Sequence, residues 1–388
     1  MKSSTYETMN TMRPSMPVKT SRLLSLDIFR GITMAGMILV NNPGYFSSDY
    51  YAPIMHAKWN GWTPTDLIFP FFLFIVGVAM TFSFTKRIER GDSEKKLMIQ
   101  VIKRASLLFL LGLILNGFPK FDLSTIRIMG ILPRIALCYA ICSVIFFNFK
   151  LKGQVIIGSS ILVLYFIIMV FIPIPGHGVG VLETPGCSWA QYIDNILLKG
   201  HMSRPDSTFE SKGILSTFPA LVITLIGMMA GQYLQTDRPV YEKITNLYFF
   251  GFMGLIIGII WDVWFPINQS LWTSSLVIFT SGMAFICFAT CYFLADIRKI
   301  TWWTKPFVIF GTNALTAYFC STLLSHTLDI SKLHQVDGTE ISIKTFLTNG
   351  LASWAGHHNG MLFFAMLYVL FWFAILSILY KYKIFVKL

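Results

Sequence analysis

The chain has 388 residues, 54% hydrophobic and only 13% charged, with 35 Phe and 10 Trp. A soluble chain usually carries about 25% charged residues, so there is too little polar surface here to coat a water-facing globule. Disorder, collagen-like repeats, coiled coil and a disulfide-stapled secreted fold are excluded by the same numbers. The formal charge of +12 fits the loop lysines and arginines of a membrane protein better than a nucleic-acid partner. The expected class is an all-α polytopic bundle in the lipid bilayer.

Residues 1–24 are polar and rich in Ser, Thr and Met, without the short apolar core and small-residue cleavage site of a signal peptide. They read as a cytoplasmic tail preceding a single transmembrane domain over 25–388. Apolar runs long enough to cross about 30 Å of hydrocarbon then follow. They predict spans near 25–42, 65–85, 105–118 (extended upstream from about 98), 128–148, 154–172, 213–234, 244–265, 271–294, 305–326 and 361–380. The more polar stretch 341–355 is expected to be an interfacial or re-entrant helix, an eleventh element at most. With both termini in the cytoplasm, 21 of the 31 Lys and Arg lie on the inner side and 8 outside, while Arg30 and Arg134 fall within spans. This bias supports ten spans with both termini in the cytoplasm; the expected location is the inner, cytoplasmic membrane, and loops 43–64, 173–212 and 327–360 are left outside. They hold every His but His326. Loops of this length usually have a function. No internal repeat is visible, against the repeat architectures of secondary transporters. Cys138/Cys142 and Cys287/Cys291 are i,i+4 pairs in apolar runs and read as small hydrophobes.

The stretch from Asp27 to Phe74 is the most informative. Asp27 and Arg30 share a helical face at the inner end of the first span, either as a self-contained ion pair or with Arg30 turned inward to bind a phosphorylated cosubstrate. Asn41 ends that span, as a cap for orphan carbonyls or as an amide that stabilises an oxyanion. His56 lies in a loop among Tyr50, Tyr51, Trp59 and Trp62; a lone loop His is more often inert than catalytic. Asp66 opens the next span, a costly depth for a carboxylate without a partner. It would orient His56, bind a polar substrate group, or sit there as a helix N-terminal residue favoured by the dipole. Arg127 and Arg134 are seven apart on one helical face, with a structural pairing as the plain alternative. Adjacent His357 and His358 are poorly placed to share a metal, and no metal is expected. Loop residues Glu183, Asp194, Asp206 and Glu210 would contact an amino sugar or stay solvated.

The runs RLLSLDIFRG, ILVNNPG, HAKWNGWTPTDLIFPFFLFIVG, RIMGILPRIALCY, KGILSTFPALVITLIGMMAGQYL, FPINQSLWTSSLVIFTSG and FGTNALTAY occur in this order. Together they resemble the heparan-α-glucosaminide N-acetyltransferase family over roughly residues 22–325. The resemblance is to a bacterial member of about ten spans, without the luminal domain and extra first span of the lysosomal enzyme. It implies transfer of acetyl from cytosolic acetyl-CoA to an amino sugar or glycan across the membrane. It places the active-site histidine at His56 and the active-site asparagine at Asn41. Asp66, Arg127, Arg134 and Asn313 match further family positions, with roles assigned by inference. Arg30, Arg134 and Asn313 are the candidates for the cosubstrate, and Trp59, Asn60, Trp62 and Arg127 for the acceptor. A homodimer is left open, and the region from His326 to His358 inherits no role.

The chemistry of the residues is compatible with this. An amine nucleophile must be deprotonated, which suits imidazole, although His56 could instead carry the acetyl group itself. The competing reading is a transporter or permease for amino sugars, drawn from the span count and from intramembrane Asp66 and Arg134.

Overall fold

The apolar runs fold as helices in the computed structural model, which describes residues 23–44, 51–176, 178–179, 182–203, 210–335 and 339–386. Residues 1–22 of the expected tail, Tyr50 and Asp206 lie outside the described residues. The long helices are α1 (Leu24–Asn41), α2 (Pro64–Glu89), α3 (Glu94–Gly117), α4 (Ile131–Asn148) and α5 (Leu151–Phe171). After the short α6 (Trp189–Leu197) come α7 (Thr217–Leu234), α8 (Val240–Asp262) and α9 (Ser274–Cys291), the last running into a π-helical turn, Tyr292–Ile297. The chain ends with α10 (Lys305–Thr312), α11 (Ala314–Ile330), α12 (Ile343–Ala355) and α13 (His357–Lys381). Two two-stranded hairpins, Pro173–Ile174 with Gly178–Val179 and Lys332–His334 with Glu340–Ser342, are the strands described.

Nine of the described helices are long and apolar enough to cross a membrane, or ten if α10 and α11, bent by 79° at Asn313, form one broken span. The expected span at 305–326 is therefore two helices. The stretch at 341–355 folds as α12, thirteen residues long and too short to cross about 30 Å of hydrocarbon.

α2 and α7 are the most enclosed helices, whereas α3, α5, α8 and α13 keep most of their surface on the outside, where apolar side chains can face lipid. Without a hydrophobic drive between helices in lipid, close packing depends on small residues. Gly227 lets α7 lie against the α2 backbone: a Cβ there would come within 2.1 Å of the Phe74 carbonyl oxygen, and one on Gly77 within 2.0 Å of the Thr224 oxygen. Gly31 and Gly311 play the same part between α1 and α10, at 1.7 Å from Phe307 O and 2.0 Å from Asp27 O. Gly227→Val should therefore cost about 1–3 kcal/mol by overpacking. Its check is the melting temperature in detergent; an unchanged value would show that α2 and α7 can separate freely.

Candidate active site

α2 sets out the site because both of its ends carry polar groups. At its start, Thr63 and Asp66 form a reciprocal capping box, so the sequence T-P-T-D begins the helix by itself. The same carboxylate also reaches back to the preceding loop. Asp66 Oδ1 lies 2.6 Å from His56 Nδ1, while Oδ2 accepts from the backbone N–H of Ala57 (3.1 Å) and of Thr63 (2.9 Å) and from the Thr63 hydroxyl (3.1 Å). A carboxylate only accepts, so it holds the proton on Nδ1 and leaves Nε2 with its lone pair. Asp66 is buried at 1%, and the His56 side chain is half exposed at 51%. Asp66 thus makes two of the contacts open to it in the sequence at once: it caps the helix and it hydrogen-bonds the imidazole.

The loop that carries His56 is tied down at several points. Trp59 Nε1 donates to Leu182 O at 2.7 Å, Asn268 Nδ2 donates to Asn60 Oδ1 at 3.1 Å, and Gly61 N donates to Ile267 O at 2.7 Å. Trp62 rests on Phe279, with ring centroids 4.9 Å apart. Trp59 and Asn60 therefore hold neighbouring loops in place, and Trp62, 42% exposed, presents a face at the mouth.

At the far end of α2 a cavity of about 600 Å³ opens between α1, α2, α3, α4 and the α10–α11 break. Asp27, Arg30, Lys86 and Arg104 line one end of it, and Phe72, Val76, Leu132 and Ile135 line its deep apolar part. Arg30 donates to Asp27 at 2.9 Å, the ion pair allowed by the i,i+3 spacing, and both residues also face the cavity. Phe72, Val76, Ala79, Ser83 and Lys86 recur at three- and four-residue steps, one continuous stripe of α2. That stripe is about 21 Å long, and Asp66 lies about 9 Å beyond Phe72 at 1.5 Å per residue.

Three expected site residues stand apart from both the His56–Asp66 pair and the cation-lined end of the cavity. Arg134, a candidate for phosphates beside Arg30, is in the first turn of α4 at the His56 end, fully buried, donating to Ser216 Oγ (2.5 Å) and Gly213 O (3.2 Å). A helix start fixes it at the wrong end of the bundle for Arg30. Asn313, the other cosubstrate candidate, sits at the α10–α11 break and engages the C-terminal segment: Nδ2 donates to Ile384 O and Oδ1 accepts from Val386 N, both at 3.1 Å. Its neighbours Thr312 and Ala314 line the cavity instead. Asn41 is the exposed last residue of α1, with no hydrogen bond to His56 or Asp66 among the described residues, whereas Asn42 is the buried one and donates to Ile38 O at 2.7 Å.

Arg127 grips Glu210 bidentately, at 3.0 and 2.5 Å, so Glu210 is neither solvated nor open to a sugar. Asp194 is likewise buried, accepting from Ile214 N at 2.8 Å, and burial pushes its carboxyl up to about 7. Lys212, in the same loop, is pushed down to about 7 by burial and then by Arg127 and Arg134. Sequence reasoning passed over Lys212; its position between Glu210 and the start of α7 was the available signal. The K-G step also forces close packing, since a Cβ on Gly213 would meet Asp194 Oδ2 at 1.7 Å.

Residues 22–261 match the sequence model of a family described as heparan-alpha-glucosaminide N-acetyltransferase, catalytic. The chain belongs to that family. Heparan-alpha-glucosaminide N-acetyltransferase of Mus musculus is 28% identical over 352 residues, covering 77% of this chain and 53% of the mouse protein. The protein of the same name from Homo sapiens is 28% identical over 353 residues, covering 76% and 52%. The chain thus spans about half the length of these relatives. The family match takes in His56, Asp66, the cavity stripe of α2 and the Arg127–Glu210 pair, and ends at the last turn of α8.

Proposed function

We propose that this member of the heparan-alpha-glucosaminide N-acetyltransferase family is a transmembrane acyltransferase. It takes acetyl from acetyl-CoA at the Arg30 end and delivers it to an amino sugar or glycan at the His56 end. The observation that carries the reading is that α2 links two chemically distinct ends: a cation-rimmed cavity at one and a carboxylate-held imidazole at the other, about 30 Å apart along the helix axis. The excess of Lys and Arg in loops at the Arg30 end argues that this end faces the cytoplasm of a cell membrane.

The donor fits the cavity by chemistry. Arg30, Lys86 and Arg104 would meet the phosphates of CoA, and the apolar stripe would hold its flexible arm. His56 Nε2 would then take a proton from the acceptor amine as it attacks, and return it to the departing thiolate. Asp66 keeps the imidazole in the required tautomer throughout. With the donor held at one end and the acceptor at the other, acetyl would cross the bilayer without moving a sugar.

The test is incubation of membranes holding the full chain with radiolabelled acetyl-CoA and a panel of amino sugars and glycans. Label should appear on an acceptor. Arg104→Ala should raise the acetyl-CoA KM by about tenfold, as loss of one charge-assisted contact predicts. Failure of the protein both to bind acetyl-CoA and to label any acceptor would overturn the reading.

A further inference from the structure

Between the cavity and the imidazole stands a stack of three side chains. Phe69 is one turn from both Phe72 and Asp66, so it closes the α2 stripe just short of the carboxylate. Its ring meets Trp272 edge-on, with centroids 5.4 Å apart, and the Arg134 guanidinium lies 5.0 Å from the centre of the same indole. Trp272 and Arg134 are both 0% exposed.

The hydrogen bonding of this stack is incomplete. Arg134 commits Nη2 to Ser216 and Gly213. Its Nε and Nη1, and the Trp272 indole Nε1, have no acceptor among the described residues. Trp272 also holds a φ of +54°, a conformation that costs a bulky residue about 1–3 kcal/mol. Each buried unsatisfied donor costs a further 1–3 kcal/mol or so, and a guanidinium at membrane depth is costly for its charge as well. Packing does not account for this gathering, because a Phe would fill the indole's place without an idle N–H. An oxygen acceptor that arrives only during turnover does account for it.

We propose that Arg134 and Trp272 form the seat of the thioester carbonyl, donating to its oxygen once the acyl arm has passed Phe69. The inference rests on the acyltransferase reading above and adds residues that the resemblance leaves without this role. As the acceptor nitrogen bonds to the carbonyl carbon, the C=O π pair moves onto oxygen, where these N–H groups hold the new negative charge. When the tetrahedral species collapses, the C–S bond breaks and sulfur leaves with its electron pair. The proton taken from the nitrogen by His56 passes to that sulfur, giving the amide and the CoA thiol. Donors fixed in place beforehand lose nothing to reorganisation as the charge develops.

The experiment compares acetyl-CoA with S-ethyl-CoA, a thioether that keeps the nucleotide and arm but has no carbonyl. Affinities are measured on the full chain in lipid nanodiscs, so that no acceptor need be known. Wild type should prefer acetyl-CoA by about tenfold, the size expected of a charge-assisted hydrogen bond. Trp272→Phe and Arg134→Lys should reduce that preference to twofold or less, with S-ethyl-CoA affinity and melting temperature unchanged. Retention of the full preference by Trp272→Phe overturns the proposal, and this variant decides alone if Arg134→Lys does not fold. Equal wild-type binding of both compounds also overturns it while leaving the proposed function standing. Binding of neither removes the function as well.

Discussion

His56→Ala is expected to lower acetyl transfer by about 10³-fold, within the 10²–10⁴ range of a positioned general base. Acetyl-CoA affinity should stay at the wild-type value, because the cavity proposed for the donor comes no nearer on α2 than Phe72, about 9 Å along the helix from Asp66. The fall should therefore appear in kcat and not in the KM for acetyl-CoA, the pattern of an interaction made only in the transition state. Initial rates with labelled acetyl-CoA, together with equilibrium binding, separate the two. Free imidazole should restore part of the rate, since the half-exposed side chain leaves a mouth open to a small base. A variant keeping more than a tenth of the wild-type rate would remove His56 from the chemistry.

Asp66→Asn is nearly isosteric and should be almost as damaging. The carboxylate accepts from His56, from two backbone N–H groups and from the Thr63 hydroxyl. An amide has one accepting oxygen, so one side must lose. If its NH₂ faces His56, the proton is driven to Nε2 and the base is lost. If its oxygen faces His56, the NH₂ opposes the Ala57 and Thr63 N–H donors and the loop shifts. Either way the rate should fall by about 10²–10⁴, the scale seen when a carboxylate that sets a histidine tautomer is neutralised. The weakened cap should cost about 1 kcal/mol of stability, too little to unfold the bundle. A rate within threefold of wild type, with the melting temperature retained, would mean that Asp66 serves only as a cap.

The two predictions concern a pair that was half legible in the sequence. Ten residues separate His56 from Asp66, and a carboxylate opening an apolar run demanded a partner on energetic grounds, so His56 was the natural candidate. The contacts that the sequence did not foretell are made by residues whose partners lie far along the chain. Arg127 meets Glu210 across 83 positions, Arg134 meets Gly213 across 79, and Asn313 meets Ile384 across 71. Helical periodicity says which face such a residue occupies, but not which distant loop is folded over that face. Trp272 went unremarked because its enclosure, its left-handed backbone and its contact with Arg134 exist only in the packed molecule.

Composition and run length by themselves determined the membrane class, the helical fold and the spans to within one, since backbone polar groups in lipid must be satisfied within each segment and each crossing needs about 20 apolar residues. The capping box at Thr63–Asp66 was equally local. Only the tertiary structure decided that α10 and α11 break at Asn313, that Gly227 brings α7 onto α2, and that one stripe of α2 lines the cavity while the start of the same helix holds the imidazole. Those outcomes depend on which helices touch, and contact between distant segments is selected by shape and by buried polar partners that no local pattern encodes.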